Sequence, residues 1–224
     1  MVMLSEADHL RVTEAVAEAE RSSDGEIVTI VAPRSDSYHD VGLHYSILAM
    51  LLVPTAAAIA PQAWIDRGLA LAFGWDASSS YRMLMLLILG AMVLVFLAVR
   101  FALAWMPLRM ALTPAATKTR RVRRRAVELF RAGTEKRTKG RTGILLYLSL
   151  IEHRAEIVAD EAIHGQVEPD VWGEAMAVLV DGVKAGRTGE GMAQAVEKMG
   201  EVLARCLPPT LDNPNELPDQ LIEL

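Results

Sequence analysis

The segment Glu26-Ile27-Val28-Thr29-Ile30-Val31-Ala32 is rich in β-branched residues, begins after Ser23-Asp24-Gly25 and stops at Pro33. This pattern predicts a strand with both faces buried. A similar run, Gly143-Ile144-Leu145-Leu146-Tyr147-Leu148-Ser149-Leu150-Ile151, occurs far along the chain and predicts a second buried strand. Alternation over residues 154–160 predicts a half-exposed third strand, paired antiparallel with the second across a polar turn at Glu152-His153.

Helical patterns surround these strands. Ser5 and Asp8 resemble a capping box, and the apolar residues after them repeat at helical spacing, which predicts a helix over about 5–22. One apolar face recurs among the arginines of residues 118–133 and predicts a second helix. Two more helices are predicted at the end, one carrying Trp172 and stopping near Gly186, the other starting at Thr188.

Two long apolar segments separate the first strand from the second. Residues 41–60 carry no formal charge, and residues 83–106 carry only Arg100. A helix of about 20 residues covers roughly 30 Å, the thickness of a hydrocarbon core. We therefore predict two membrane spans, at about 41–60 and 83–106. Pro54, Thr55 and a run of alanines weaken the first prediction, and a buried soluble helix is its alternative.

The distribution of basic residues predicts the orientation of these spans. The basic residues of the connecting segment are Arg67 and Arg82 alone, whereas many basic residues follow the second span. Because basic residues stay on the cytoplasmic side, both termini are expected in the cytoplasm. The predicted location is the inner membrane of a bacterium.

Two spans return the chain to the side that it left, so the three strands can join one sheet. The predicted fold class is α/β, a small sheet flanked by helices and interrupted by a two-helix transmembrane hairpin. The predicted parts are residues 1–40 and 107–207 for the split domain, 41–106 for the hairpin, and 208–224 for a mobile acidic tail with four prolines. A short docking peptide over Leu217 to Leu224 is the alternative for the end of this tail.

The order of elements resembles the TPM domain family, named after thylakoid, phosphatase and membrane-associated members. The resemblance covers roughly residues 5–40 and 117–209. It rests on Gly25-Glu26-Ile27-Val28, Thr142-Gly143-Ile144-Leu145-Leu146-Tyr147, Ile157-Val158-Ala159-Asp160, Trp172, and the series Gly191, Gly200, Leu203 and Pro208. The version interrupted by a membrane hairpin is similar to a group of bacterial membrane proteins.

The resemblance implies a weak acid phosphatase, divalent-cation binding, or a part in assembling or repairing membrane protein complexes. Asp160 matches the family's acidic position and is the first candidate ligand for Mg²⁺ or Ca²⁺; Asp24 and Glu161 are added because they also lie at strand ends. The alternative is that these residues and His164 are solvated. The chain departs from the family in its cytoplasmic location and in lacking a glycine-rich stretch after the third strand.

A basic run follows the second span at about a dozen residues' distance. It has no interleaved aromatic residues, so we expect a topogenic signal and contact with anionic lipid rather than with nucleic acid. The residues expected to face lipid are Lys118, Arg120, Arg121, Arg123, Arg124 and Arg125.

The chain has one cysteine, Cys206, which excludes a disulfide framework and a cysteine-based zinc site. It contains no P-loop, GxSxG or HExxH motif. The leading hypothesis is therefore a membrane-anchored interaction or maintenance factor whose partner is a membrane protein complex. A weak phosphatase dependent on Mg²⁺ or Ca²⁺ and a sensor of anionic lipid surfaces are the alternatives.

Overall fold

A computed structural model describes residues 4–73, 81–133, 142–167, 169–210 and 216–224. The chain forms two compact units, which we call the sheet unit (residues 1–36 and 115–224) and the helical unit (residues 37–114). The described helices are α1 (Glu6–Arg21), α2 (His39–Ile59), α3 (Gln62–Phe73), α4 (Tyr81–Ala102), α5 (Met106–Leu112), α6 (Ala115–Gly133), α7 (Glu161–His164), α8 (Gly173–Lys184) and α9 (Thr188–Cys206), with a 3-10 turn at Pro169–Trp172. The strands are β1 (Glu26–Ala32), β2 (Gly143–Ser149), β3 (Arg154–Ala159) and β4 (Ile222–Glu223).

The sheet joins strands from both ends of the chain. Its order is β3-β2-β1-β4, with β1 parallel to β2 and β4, and β2 antiparallel to β3. Glu26 pairs with Gly143 and Ala32 with Ser149, so β1 and β2 are in register along their full length. All residues of both strands are buried, because helices cover both faces. The predicted pairing of the three strands is confirmed.

Helices pack on both faces of the sheet. Successive side chains of a strand point to opposite faces, and this alternation determines which helices each residue contacts. Ile27, Val31 and Leu146 belong to a core shared with α1, α8 and α9. Val28 and Tyr147 belong to a separate core shared with Val122, Ala126 and Phe130 of α6. The sheet unit therefore has three layers, with α6 on one side of the sheet and α1, α8 and α9 on the other.

The ends and crossings of the helices follow from particular residues. Ser5 caps α1: the Asp8 N–H donates to Ser5 Oγ at 3.2 Å, and the Ser5 N–H donates to Asp8 Oδ2 at 3.3 Å, which confirms the capping box. Where α8 and α9 cross, a Cβ added to Gly182 would lie 2.5 Å from Gly191 Cα. Only two glycines permit this close approach of the two backbones.

The last nine residues correct a prediction. The tail over 208–224 was expected to be mobile, but residues 216–224 lie against β1 and form β4. Leu217 and Leu221 are buried, and the Leu224 N–H donates to the Val31 C=O at 3.0 Å. The edge of a sheet offers unpaired backbone groups, and this short segment satisfies some of them. Three of the four prolines that favoured disorder, at 208, 209 and 214, lie before this segment, and Pro218 lies within it.

The helical unit contains two helices that are long and apolar enough to cross a membrane, α2 and α4. They pack against each other. In their most apolar windows, only 11% and 0% of the residues are buried. The second apolar segment is shorter than the predicted 83–106, because the helix ends at Ala102 and Pro107 lies in the first turn of a new helix, α5.

Arg109 is a charged residue that is buried in the helical unit. Its Nε donates to the Leu103 C=O at 2.7 Å, and its Nη1 donates to the Ser37 C=O at 2.7 Å. Its Nη2 lies 3.3 Å from the Ala104 carbonyl oxygen. The Arg109 guanidinium therefore links the carbonyl groups just after α4 to the segment just before α2. In the sequence, Arg109 is one of the basic residues that follow the second apolar segment.

Candidate functional site

The predicted metal ligands lie at one end of the strands, where β1 and β2 begin, without forming a metal cluster. Asp24 precedes β1, whereas Asp160 and Glu161 follow β3. Strand β2 lies between β1 and β3, and two strand spacings amount to about 10 Å. Among the described residues, no group of three or more His, Cys, Asp or Glu side chains could hold a metal ion. The structure therefore does not gather Asp24, Asp160 and Glu161 into such a group, and a metal role for them stays a prediction.

Each of these residues has a structural position of its own. The Asp24 carboxylate accepts the Thr210 N–H at 2.8 Å, and the Asp24 N–H donates to the Leu207 C=O at 3.0 Å. Asp160 is buried at the start of α7, and its N–H donates to the Gly143 C=O at 2.9 Å. Glu161 is exposed. The side chain of His164 lies outside the described part of the chain.

This end of the strands is also opposite to the end at which a ligand site is expected. Ligands of open α/β sheets bind at the carboxyl ends of the parallel strands. Asp24 precedes β1, and β3 runs antiparallel, so its last residue pairs with the beginning of β2. The prediction from the sequence grouped the ends of all the strands. It did not distinguish the carboxyl ends of the parallel strands β1 and β2 from the carboxyl end of the antiparallel strand β3.

The carboxyl ends of β1 and β2 carry a buried polar network that the sequence analysis missed. Glu152 is 5% exposed; its Oε1 accepts the Ser35 N–H at 2.9 Å, and its Oε2 accepts the Ser149 hydroxyl at 2.6 Å. Ser35 Oγ lies 3.0 Å from the Tyr147 hydroxyl oxygen. We call Ser35, Tyr147, Ser149 and Glu152 the carboxyl-edge network.

This network connects two loops. Burial raises the pKa of Tyr147, while bonds from Ser35 and Ser149 oppose the rise, so the phenol keeps its proton. Both Glu152 oxygens accept hydrogen bonds, one from the Ser35 N–H and one from the Ser149 hydroxyl. The arrangement joins the loop after β1 to the turn after β2. The hint in the sequence was Ser149 three residues before Glu152, which was interpreted only as a polar turn.

An acidic cluster lies at the amino end of β1. Glu20, Glu26 and Asp219 line a surface cavity of about 380 Å³ together with Thr210. Burial raises the pKa of Glu20 to about 8; the bond from the Ile27 N–H opposes this rise, and Glu26 and Asp219 add to it. Burial also raises the pKa of Glu26, although its Oε2 accepts the N–H groups of residues 216 and 217 at 3.2 and 3.1 Å.

This acidic cluster holds the C-terminal segment. Glu26 is in β1, and the two N–H groups that it binds belong to the segment that leads into β4. At the far end of the segment, Glu223 Oε1 accepts the Leu4 N–H at 3.0 Å and lies 2.9 Å from His9 Nε2. Sequence reasoning assigned Glu26 only to a buried strand, because its partners are about 190 residues away.

The basic residues predicted to face lipid lie on α6 in several environments. Arg121 is largely buried and pairs with Asp36 at 3.0 Å, and Arg124 lies 3.3 Å from the same carboxylate. Arg125 lies 3.7 Å from Glu128. Arg120 is exposed, Lys118 is half-buried, and Arg123 lines a groove beside β3. Arg121 is therefore an internal partner of Asp36, and the prediction of a uniform lipid-facing run is wrong for this residue.

The fold is similar to one solved structure. An NMR structure of the BA42 protein from the psychrophilic bacterium Bizionia argentinensis superposes with a TM-score of 0.57 and 16% sequence identity. The alignment covers 100% of this chain and 97% of that one. At this identity the similarity concerns the fold alone. No family model matches the chain, and no curated protein matches it in sequence.

Proposed function

We propose that the chain is anchored in a membrane by α2 and α4, and that its sheet unit is an interaction or maintenance factor for a membrane protein complex. The observation that carries this proposal is the exposure of apolar side chains on both helices. Leu51 and Leu52 on α2 are 52% and 57% exposed, and Leu86 and Leu94 on α4 are 64% and 69% exposed. Leaving this much apolar surface in water is unfavourable, whereas lipid covers it at no cost.

The sheet supports a topology with both termini on one side. Strands β1 and β2 flank the helical unit in sequence and pair in full register. A sheet with open edges does not cross the hydrocarbon region, so the two strands must lie on the same side of the membrane. Basic residues follow α4 and are sparse between α2 and α4, which favours the cytoplasmic side of a bacterial inner membrane.

The proposal includes a relation to TPM domains. The residues that carry the resemblance include those of the paired strands β1, β2 and β3 and of the close α8–α9 crossing at Gly191. An interaction role is favoured over a metal-dependent phosphatase, because the expected ligands Asp24 and Asp160 lie on separated strands and Asp24 is bonded to Thr210. It is also favoured over a lipid sensor, because Arg121 and Arg124 are paired with Asp36.

Thiol labelling tests the topology. Cys206 is half-buried in α9, and Ser22→Cys adds an exposed thiol after α1. In spheroplasts, we expect a membrane-impermeant maleimide to leave both thiols unlabelled until the membrane is permeabilised. As a matched control, Gln62→Cys, exposed at the start of α3, should be labelled without permeabilisation. Labelling of Ser22→Cys in intact spheroplasts would contradict the proposal.

Photo-crosslinking in native membranes tests the interaction. A crosslinking amino acid at Leu10, which is 64% exposed on α1, should form a reproducible adduct with a membrane protein. The matched position is Leu89, 57% exposed on α4, where lipid should quench the reagent. If neither Leu10 nor further exposed positions of the sheet unit give a protein adduct, the interaction role is wrong.

A further inference from the structure

A groove runs beside β3, at the edge of the sheet opposite to β4. Its volume is about 910 Å³, and residues 155–159 of the strand form its floor. Helix α6 contributes Arg123 and Val127 to one wall. The opposite wall contains Glu161, Trp172 and Met176, from the region of α7 and α8. We call this feature the β3 groove.

The floor of the β3 groove is a strand with one unpaired edge. The Asp160 N–H donates to the Gly143 C=O, which fixes the alternation of the antiparallel ladder. Residues 154, 156 and 158 then face β2, whereas the N–H and C=O groups of Ala155, Ile157 and Ala159 face away from it. None of the hydrogen bonds within the described part of the chain uses these outward groups. They are donors and acceptors spaced for another strand.

The other edge of the same sheet shows how this fold treats an unpaired strand. There the C-terminal segment 216–224 lies along β1, pairs through β4 and buries Leu217 and Leu221. A carboxylate of the sheet, Glu26, holds backbone N–H groups of that segment. An extended segment with apolar residues is thus accommodated at one edge, and the β3 groove offers the corresponding space at the other.

The two sides of the β3 groove differ in chemistry. Trp172 and Met176 are half-buried and pack on the core formed by α1, α8 and α9, so this side is apolar apart from Glu161. The side toward α6 carries Glu156 and Arg123. Burial raises the pKa of Glu156, and the charges of Arg123 and Arg154 oppose that rise. Glu156 is the carboxylate of the strand itself, so a cation at the opposite position of an added strand would form a cross-strand ion pair with it.

We propose that the β3 groove binds an extended peptide segment of a partner protein as an added strand, with apolar side chains toward Trp172 and Met176 and a lysine or arginine opposite Glu156. Backbone hydrogen bonds to Ala155, Ile157 and Ala159 provide the affinity, and the alternating side chains provide the specificity. This inference deepens the proposed function, because it names the surface and the partner chemistry of the interaction factor. Peptide binding tests it separately from membrane anchoring and crosslinking.

The test uses the full chain in mild detergent and two fluorescein-labelled synthetic peptides. In the lysine peptide, valine alternates with lysine over eight residues; in the glutamate peptide, glutamate replaces each lysine. We expect the lysine peptide to bind more tightly by fluorescence anisotropy. We also expect it to slow hydrogen exchange of the outward amides at residues 155, 157 and 159. Absence of binding by the lysine peptide would overturn the inference.

Charge reversal at the groove tests its specificity. Glu156→Lys should weaken binding of the lysine peptide by about three- to tenfold and strengthen binding of the glutamate peptide, as expected when a cross-strand ion pair becomes a repulsion. Glu197→Lys is the matched control, because it makes the same change of net charge on an exposed position of α9. Equal effects of the two substitutions would show adsorption to an acidic surface and overturn the inference.

Removal of one outward donor tests the added strand itself. Ala159→Pro deletes an N–H that does not serve β2, and proline is tolerated at an edge in this orientation. We expect unchanged far-UV circular dichroism and at least fivefold weaker binding of the lysine peptide. Trp172→Ala provides a second variant and should weaken binding through the apolar side. Full binding by both folded variants would overturn the inference, whereas loss of crosslinking at Leu10 alone would count only against the proposed function.

Discussion

Replacing Glu20 with glutamine should make the stability of the sheet unit less dependent on pH. Glu20 Oε1 accepts the Ile27 N–H at 2.8 Å, and glutamine keeps an oxygen at that position. What the substitution removes is the cost of a buried negative charge near Glu26 and Asp219. Burial is the main reason that the pKa of Glu20 rises from 4.5 to about 8.

The sign of the effect follows from proton binding. Between about pH 4.5 and 8, the unfolded chain has released the Glu20 proton while the folded chain retains it. The free energy of unfolding of the native protein therefore falls as the pH rises through this window, and stays low above it. The rise in pKa corresponds to at most about 5 kcal/mol, and partial solvent access reduces the expected value to about 2 kcal/mol.

Urea unfolding in mild detergent, followed by far-UV circular dichroism, measures this difference. Glu20→Gln and the native chain should be equally stable at pH 4, and the variant should be more stable by about 2 kcal/mol at pH 9. Glu14→Gln, an exposed position on the same helix, is the matched control and should show no such trend. A constant difference between Glu20→Gln and the native chain from pH 4 to 9 would refute the linkage.

Three further substitutions test other contacts, each by the same urea unfolding. Glu152→Ala leaves two buried donors without their acceptor and should cost about 2–4 kcal/mol, with Glu152→Gln costing less; equal costs would contradict a role for the carboxylate. Leu221→Ala should cost about 2–4 kcal/mol and speed hydrogen exchange in β1, and unchanged exchange would argue against docking of the C-terminal segment. Gly191→Ala places a methyl group 2.9 Å from Gly182 Cα and should cost about 1–3 kcal/mol, whereas Gly173→Ala, with open space around it, should not.

The C-terminal segment and the β3 groove give the two edges of one sheet different roles. One edge is covered by the chain's own residues 216–224, and the other has outward backbone groups in a groove. An edge that is covered in this way is protected from chance pairing with other chains. The groove leaves the other edge accessible, as the proposed binding of a partner segment requires.

Local patterns predicted much of the fold. The apolar residues of α1 at positions 12, 15, 16 and 19 are the ones that are buried, and Thr188 to Cys206 forms the last helix as expected. The periodicity of such segments directly reflects which face meets a core. The strand that was missed, β4, is two residues long and has no periodicity of its own, so only its partner β1 makes it a strand.

The functional residues were harder to predict than the elements. Asp24 and Asp160 were proposed together because each follows or precedes a strand, but strand direction and order keep them apart. Glu20, Glu26 and Asp219 meet although nearly 200 residues separate the first from the last. A single sequence contains no signal for such a meeting, because the contact depends on how the chain returns to β1.

The amino-acid sequence by itself determined the type and place of the long elements, including two helices apolar enough to span a membrane, and the pairing partners of the buried strands. Those properties depend on side-chain periodicity and hydrophobicity, which are local. Only the tertiary structure decided which edge of the sheet is covered, where the buried carboxylates gather, and which backbone groups face outward from β3. These features depend on register and strand direction, which arise from the packing of distant segments rather than from any one of them.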